Sequence, residues 1–294
     1  MSSSVVTDPH PGPPSASDIE SVRRFWDNRP CNVKHSPSPV GTKTYFDEVE
    51  ARKYLVEPHI PAFADFQRWR DKRVLEIGCG IGTDSINFAR AGAHLTAVDL
   101  SEQSLEVCRQ RFAIFGLQAD IRWADAEHLS DIIQPQPFDL IYSFGVVHHT
   151  PNPHIVLQEL KKFCGPDTEL RIMLYSRWSW KGLHIALSEG RGAFWRYHDL
   201  VRTNAEAQFG CPVAYTYTRH DIEQLFSGYH VWRVWKDHIF PYRISDYVNY
   251  RYRKVWYFRW LPNSAFRLLE RHLGWHTMIL ARPENVDEPV TEMS

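Results

Sequence analysis

The spacing of apolar residues along this chain changes character twice, and each change marks a different kind of structure. Residues 1–16 are dominated by Pro and Ser, cannot bury enough apolar area to offset ordering, and are expected to form a disordered tail. Ser17-Asp18-Ile19-Glu20 has capping-box spacing. Ile19, Val22, Phe25 and Trp26 then recur on one helical face until Pro30 stops the helix. A Pro- and Ser-rich loop runs to about Gly41, and residues 45–69 resume helical periodicity with interruptions at Pro58 and Pro61. Residues 17–72 therefore read as an N-terminal helical cap. From Arg73 onward strand and helix patterns alternate, with strands expected at 73–77, 94–99, 119–123, 138–143 and 169–175. A helix should start after Gly82, and another should run from an N-cap at Ser101 to about Phe115, ending at Gly116. This is the signature of an α/β fold: a doubly wound, mostly parallel sheet with helices on both faces.

Composition narrows the picture. A chain of 294 residues with 43% hydrophobic and 23% charged residues suits a soluble globular protein, and a net charge of -1 gives no global reason to expect a nucleic-acid partner. Its beginning shows neither a signal peptide nor a membrane span, so a cytoplasmic location is expected. Five scattered cysteines without a C-x-x-C pair suggest neither a disulfide framework nor a zinc knuckle. The 11 Trp and 13 Tyr exceed what a core requires, and the Trp residues concentrate after residue 175, where they suit a substrate pocket.

The chemistry begins at Glu76-Ile77-Gly78-Cys79-Gly80-Ile81-Gly82-Thr83, where a strand turns through three glycines into a helix. The third glycine comes one residue early for the dinucleotide fingerprint G-x-G-x-x-G, and no Gly-Lys-Ser/Thr follows, so this is not a P-loop. The Glu76 carboxylate repels phosphate and attracts a cation such as the sulfonium and ammonium of S-adenosylmethionine (SAM). An ordinary tight turn with a solvated Glu76 is the competing reading. Asp99 ends the second strand 21 residues after Gly78, where this topology places an acid on the ribose hydroxyls. Asp125 follows the third strand and suits an exocyclic amine, with Leu100 and Ala126 enclosing adenine; alternatively it is a helix N-cap.

Four segments in order, VLEIGCGIGTD at 74–84, AVDLS at 97–101, ADAEHL at 124–129 and FDLIYSFGVVHHTPNP at 138–153, resemble the SAM-binding domain of class I methyltransferases, particularly the ubiquinone and menaquinone biosynthesis branch. The resemblance implies a seven-stranded Rossmann-like sheet whose last two strands are an antiparallel pair, here at 229–237 and 275–281, with a helix at 218–227 starting from Thr218 before them. It places Gly78, Cys79, Gly80 and Gly82 at the methionyl part, Asp99 at the ribose, Asp125 and Ala126 at the adenine, and Phe144 and Gly145 beside the sulfonium. On that basis residues 73–175 form the SAM-binding core. Residues 176–294 supply the remaining strands and the substrate-side insertions, at about 176–217 and 239–273.

Methyl transfer from a sulfonium needs alignment in a dry site and, for a protic nucleophile, a base. His148 and His149, just past the fourth strand, are the candidate catalytic residues, as base or substrate contact; capping the helix near Asn152 or touching SAM passively is the bland alternative. Adjacent histidines on a loop rarely converge on one ion, so no metal is expected. The loop Tyr175, Arg177, Trp180, Lys181 suits an anionic or planar substrate or else packs an insertion onto the sheet. His238 after the sixth strand reaches the same rim only if that strand runs parallel. Tyr45 and His35 either close over SAM or pack. Residues 242–260 mix aromatics with basic side chains and read as a helical lid, a membrane-surface amphipathic helix or an RNA-binding patch. The expected function is transfer of a methyl group from SAM to a small-molecule acceptor, with peripheral membrane contact as an option. RNA or protein methylation, or a SAM-fold scaffold without turnover, stand as alternatives.

Overall fold

The computed structural model describes residues 16–188, 200 and 211–284. The expected disordered tail, except Ala16, lies outside the described residues, as do 189–199, 201–210 and 285–294. Among the described residues, three helices precede the sheet: α1 (Ala16–Asn28), α2 (Lys43–Val56) and the short α3 (Ile60–Ala64), followed by a 3-10 turn at Phe66–Trp69. Ser17 lies within α1. Pro58 ends the second helical stretch and Pro61 opens the third at a position where its missing N–H is harmless.

The sheet contains β1 (Arg73–Ile77), β2 (His94–Asp99), β3 (Asp120–Trp123), β4 (Phe138–Phe144), β5 (Cys164–Tyr175), β6 (Tyr229–Asp237) and β7 (His276–Pro283), in the spatial order β3-β2-β1-β4-β5-β7-β6. The first five are mutually parallel, and β7 runs antiparallel to both β5 and β6. Two antiparallel steps restore the direction of β6 to that of β5. The ends of β4, β5 and β6 and the start of β7 therefore meet on one rim, and His238 does reach it. Strand β5 begins five residues before the expected Glu169: Gly165 and Pro166 disguise the run, but Cys164 pairs with Phe138.

Helix α4 (Ser85–Ala91) starts three residues past Gly82, α5 (Glu102–Phe115) is capped by Ser101 and ends on a left-handed Gly116, and α6 (Pro153–Lys161) follows Asn152. α7 (Trp180–Ser188) comes after β5, and α8 (Arg219–Leu225) is opened by a capping box between Thr218 and Asp221. Val74, Leu75, Ile77, Leu140 and Ile141 are fully or almost fully buried in the central strands. Each such aliphatic side chain stabilises by roughly 1.5–3 kcal/mol, which is what holds the rim rigid.

Residues 242–260 do not form the single amphipathic helix considered from sequence. Short helices at Ile244–Tyr247 and Trp256–Arg259 flank a stretch that folds back through a bridge between Tyr242 and Lys254. The break has a visible cause. Arg52 of α2 lies over the rings of Tyr247 and Tyr250 at 4.1 and 4.3 Å and donates to the Tyr247 carbonyl, while Tyr250 takes a left-handed φ of 58°. Tyr247 also meets His35, and the Tyr250 hydroxyl donates to the Lys34 carbonyl, so this segment is fastened to the N-terminal helices. No helix among the described residues is long and apolar enough to cross a membrane.

Candidate active site

The loop after β1 is shaped by what its glycines can and cannot face. A Cβ on Gly78, at φ 76°, would lie 2.0 Å from a methyl of Val146, so the loop after β4 closes directly onto this backbone. A Cβ on Gly80 would meet nothing within 4 Å: that face of the turn is open. The turn is anchored from both sides. The backbone N–H of Gly80 donates to Asp99 Oδ2 at 2.7 Å, and the N–H of Ser101 to Asp99 Oδ1 at 2.8 Å. Beneath it, Asp84 accepts from Lys53 (2.8 Å), Tyr54 (3.0 Å) and Tyr142 (2.9 Å), tying the loop to α2 and β4. Asp84 was not among the sequence candidates, since its two tyrosines and its lysine are remote in the chain.

Two carboxyls at this turn are held away from their ordinary behaviour. Burial, reinforced by the nearby Asp84 carboxylate, pushes Glu76 up to about 8, and its Oε2 has no hydrogen-bond partner among the described residues. Burial pushes Asp99 up to about 6 against the opposing backbone hydrogen bonds from Ser101 and Gly80. An open backbone face and an unpartnered buried carboxyl oxygen fit a ligand that carries both hydrogen-bond donors and positive charge. Further along the rim, Asp125 caps the 3-10 turn Ala126–Asp131 by accepting from the Glu127 N–H and meets His128 at 3.1 Å. Ala126 is buried, Leu100 half-buried, and the Leu100 carbonyl accepts from the Trp123 indole.

The other half of the rim is built from histidines. His148 is fully buried, with its ring 3.7 Å from that of Tyr175 and 4.4 Å from that of His149. His149 donates from Nδ1 to the Val213 carbonyl at 2.7 Å; a carbonyl can only accept, so this contact makes Nε2 the basic nitrogen. Trp26 of α1 approaches the same ring edge-on at 5.3 Å. Beside them His59, His238 and His276 form a second buried group, absent from the sequence candidates except for His238. The imidazoles of His238 and His276 are kept well below the ordinary value, chiefly by burial, and so are neutral at pH 7. Phe144, at the end of β4, lies 5.4 Å from the His276 ring and 5.9 Å from the His59 ring, joining this group to the glycine-turn side.

The remaining candidates divide between site and scaffold. Tyr175 lies between His148 and Trp275, on the rim. Arg177 pairs with Asp221 at 2.9 Å and donates to the Thr216 carbonyl, so its charge is committed within the fold. Trp180 packs against Tyr257 and Phe258. Tyr45 is buried against Phe46 and Ile81 with its hydroxyl on the Val33 carbonyl, a packing role. A polar cleft of about 580 Å³ opens beside His59 and Asp237, lined also by Phe63, Arg171, Arg233 and Trp235.

A family model described as a methyltransferase domain matches residues 74–167. Residues 74–167 are a methyltransferase domain. Ubiquinone biosynthesis O-methyltransferases are similar to it over this region. That of Idiomarina loihiensis is 38% identical over 99 residues, 34% of this chain and 40% of the relative. That of Maricaulis maris is 31% identical over 140 residues, 44% of this chain and 53% of the relative. The methyltransferase domain thus spans about half or less of these curated relatives. In fold, the chain resembles the magnesium protoporphyrin IX methyltransferase of Synechocystis PCC 6803 with bound SAH, at 16% identity and a TM-score of 0.55, covering 91% of this chain and 100% of that one.

Proposed function

We propose that the chain transfers the methyl group of SAM to a hydroxyl oxygen of a small molecule, with SAM held at the glycine turn and the acceptor presented from the histidine side. The observation that carries this reading is the pairing, across Phe144, of an open cation-favouring turn with a buried histidine rim. SAM supplies an electrophilic methyl on a sulfonium; the rest is positioning. In this reading Gly78, Cys79, Gly80 and Gly82 line the methionyl part and the unpartnered Glu76 oxygen receives a donor from the ammonium. Asp99 takes the ribose hydroxyls in addition to the backbone groups it already holds. Asp125, Leu100 and Ala126 border the adenine, and Phe144 with Gly145 the sulfonium.

His149 then acts as base: its Nε2 takes the acceptor proton while Nδ1–H stays on the Val213 carbonyl, so the imidazolium formed is already hydrogen-bonded. His148 and Tyr175 form a wall that excludes water. Residues 17–72 close the cofactor side, 73–175 hold the cofactor, and the later segments shape the acceptor pocket. Arg233, whose charge faces the cleft, suits an anionic or polar ring substituent better than the committed Arg177. The similarity to ubiquinone biosynthesis O-methyltransferases supports oxygen as the acceptor atom. Exposed Ile244, Val248, Trp256 and Trp260 among arginines support peripheral contact with a membrane holding an apolar acceptor, and a cytoplasmic location is part of the same proposal.

Calorimetric titration with SAM, its demethylated product and NAD tests the cofactor assignment, and labelled SAM with a metabolite pool tests the acceptor. SAM and product should bind while NAD does not, and label should enter a small molecule. Tight NAD binding without SAM binding would overturn the reading; label only in RNA or protein would replace the acceptor class.

A further inference from the structure

The histidine group beside Phe144 has a composition that proton transfer does not require. Glu57 leaves the C-terminal end of α2, His238 follows β6 and His276 opens β7, and one ligand atom from each lies within 4.8 Å of the others. His276 Nε2 is 3.8 Å from Glu57 Oε1, and the His238 and His276 rings face one another at 4.5 Å and 24°. Behind them, His276 Nδ1 meets His59 Nε2 at 3.0 Å, and His59 Nδ1, which has no hydrogen-bond partner among the described residues, lies 3.9 Å from Asp237 Oδ1. His59 is buried, with 9% of its surface exposed. His238 sits at φ 70°, a left-handed conformation that a non-glycine residue adopts only when its surroundings impose it.

We propose that Glu57, His238 and His276 bind a divalent transition metal of the zinc class, with His59 and Asp237 as the outer partners that orient His276. Two imidazoles and one carboxylate are the donor set of three-ligand zinc sites that keep a position open. The chain Asp237···His59···His276 reproduces the outer-sphere arrangement in which a ligating histidine hands its second ring nitrogen to a further polar group. Zinc–nitrogen bonds of about 2.0–2.1 Å require the three donors to close by roughly 1 Å, within reach of side-chain rotation.

The consequence rests on the methyl-transfer reading above. An open coordination position next to Phe144 takes the acceptor hydroxyl oxygen. Bound to the ion, the hydroxyl would give its proton more readily to His149 Nε2, its oxygen would attack the methyl carbon, and the carbon–sulfur bonding pair would return to sulfur. The site therefore selects acceptors with a hydroxyl able to reach the ion.

The test uses the full chain, stripped with chelator and returned to metal-free buffer. Calorimetry with Zn2+ should give one site per chain, and Co2+ should produce the visible absorption bands of a low-coordinate, nitrogen-ligated ion. E57Q, H238A and H276Q should each weaken Zn2+ binding at least about 100-fold, and H59A by about 10–100-fold. The exposed His94→Ala should change nothing. Absence of stoichiometric Zn2+ binding and of the Co2+ bands in the wild-type chain overturns the proposal whatever the variants do, as does equal binding by the three ligand variants in folded form. SAM titration of the stripped protein keeps the two ideas apart. SAM binding without Zn2+ binding sinks only the metal site, and Zn2+ binding without SAM binding sinks the methyl-transfer reading while leaving the metal site standing.

Discussion

The two halves of the rim reach chemical competence by opposite routes. On the cofactor side, the glycine turn, Asp99 and Asp125 come from three successive strand ends, and most of the surface offered to a ligand is backbone. On the histidine side, the same rim is made of side chains that start at Glu57, His59, His148, His149, His238 and His276, which come from segments far apart in the chain, with β7 placed between β5 and β6. A backbone surface is blocked for a ligand by any added side chain, whereas side-chain sites tolerate exchange of the group that does the chemistry. The first half is therefore suited to one shared cofactor and the second to an acceptor particular to this chain.

The largest effect should come from adding a single carbon on the backbone side. Gly78→Ala places a methyl 2.0 Å from Val146 at a left-handed φ, and should destabilise the fold by about 3 kcal/mol and abolish SAM binding. Gly80→Ala meets open space, so it should cost about 1 kcal/mol from backbone conformation alone while still obstructing SAM. Thermal unfolding with and without SAM separates the two; if Gly80→Ala binds SAM as the wild type does, the open face is not where the cofactor lies.

On the side-chain half, His149→Gln should lower kcat by about 100-fold while leaving SAM affinity nearly unchanged. His148→Gln should act mainly on stability, because its ring fills the contact with Tyr175. Turnover kinetics in which only His148→Gln loses kcat would exchange the two roles.

A smaller effect with a definite sign comes from the two displaced carboxyls. Asp99, raised by burial from 3.8 to about 6, favours folding of the ligand-free protein in its protonated form. That stabilising contribution is complete below about pH 4 and is lost as pH rises through 6. SAM, donating ribose hydroxyls, prefers the ionised carboxylate, so its affinity should rise across the same interval, and Asp99→Asn should weaken it at least about ten-fold and remove that rise. Glu76 near 8 is mostly protonated at pH 7 and should ionise against the cationic ligand. Calorimetry at pH 7 in buffers of different ionisation enthalpy should show net proton release on SAM binding. Release that persists in Glu76→Gln would move the proton elsewhere.

The contrast also explains what was legible in the sequence. Strand β1, its glycine turn and Asp99 are contiguous or one crossover apart, so periodicity and spacing locate them, and α5 was readable from both caps, Ser101 and Gly116. Nothing local marks His59 or His276 as partners: one sits in a Pro-flanked helical fragment, the other in a strand whose neighbours Trp275, Thr277 and Met278 are all buried. Their meeting depends on β7 being antiparallel, a property of the sheet and not of either segment. The break in 242–260 was hidden for a related reason, since the residue that imposes it, Arg52, lies about 200 positions away.

The gentlest test addresses Tyr45, which the sequence allowed either as a lid over the cofactor or as packing. Its ring is buried with Phe46, Val49 and Ile81, and its hydroxyl is spent on the Val33 carbonyl, with burial pushing that hydroxyl up to about 12. Removing the hydroxyl alone, in Tyr45→Phe, deletes one hydrogen bond and leaves an unsatisfied carbonyl, a loss of about 1 kcal/mol. Because Ile81 stands in the glycine turn, the loosened contact reaches the cofactor only through packing. The melting temperature should therefore fall by a few degrees, while KM for SAM and kcat stay within about twofold. A KM raised ten-fold at unchanged melting temperature would instead place the Tyr45 hydroxyl on the cofactor, and would extend the side-chain half of the rim into the helices that precede the sheet.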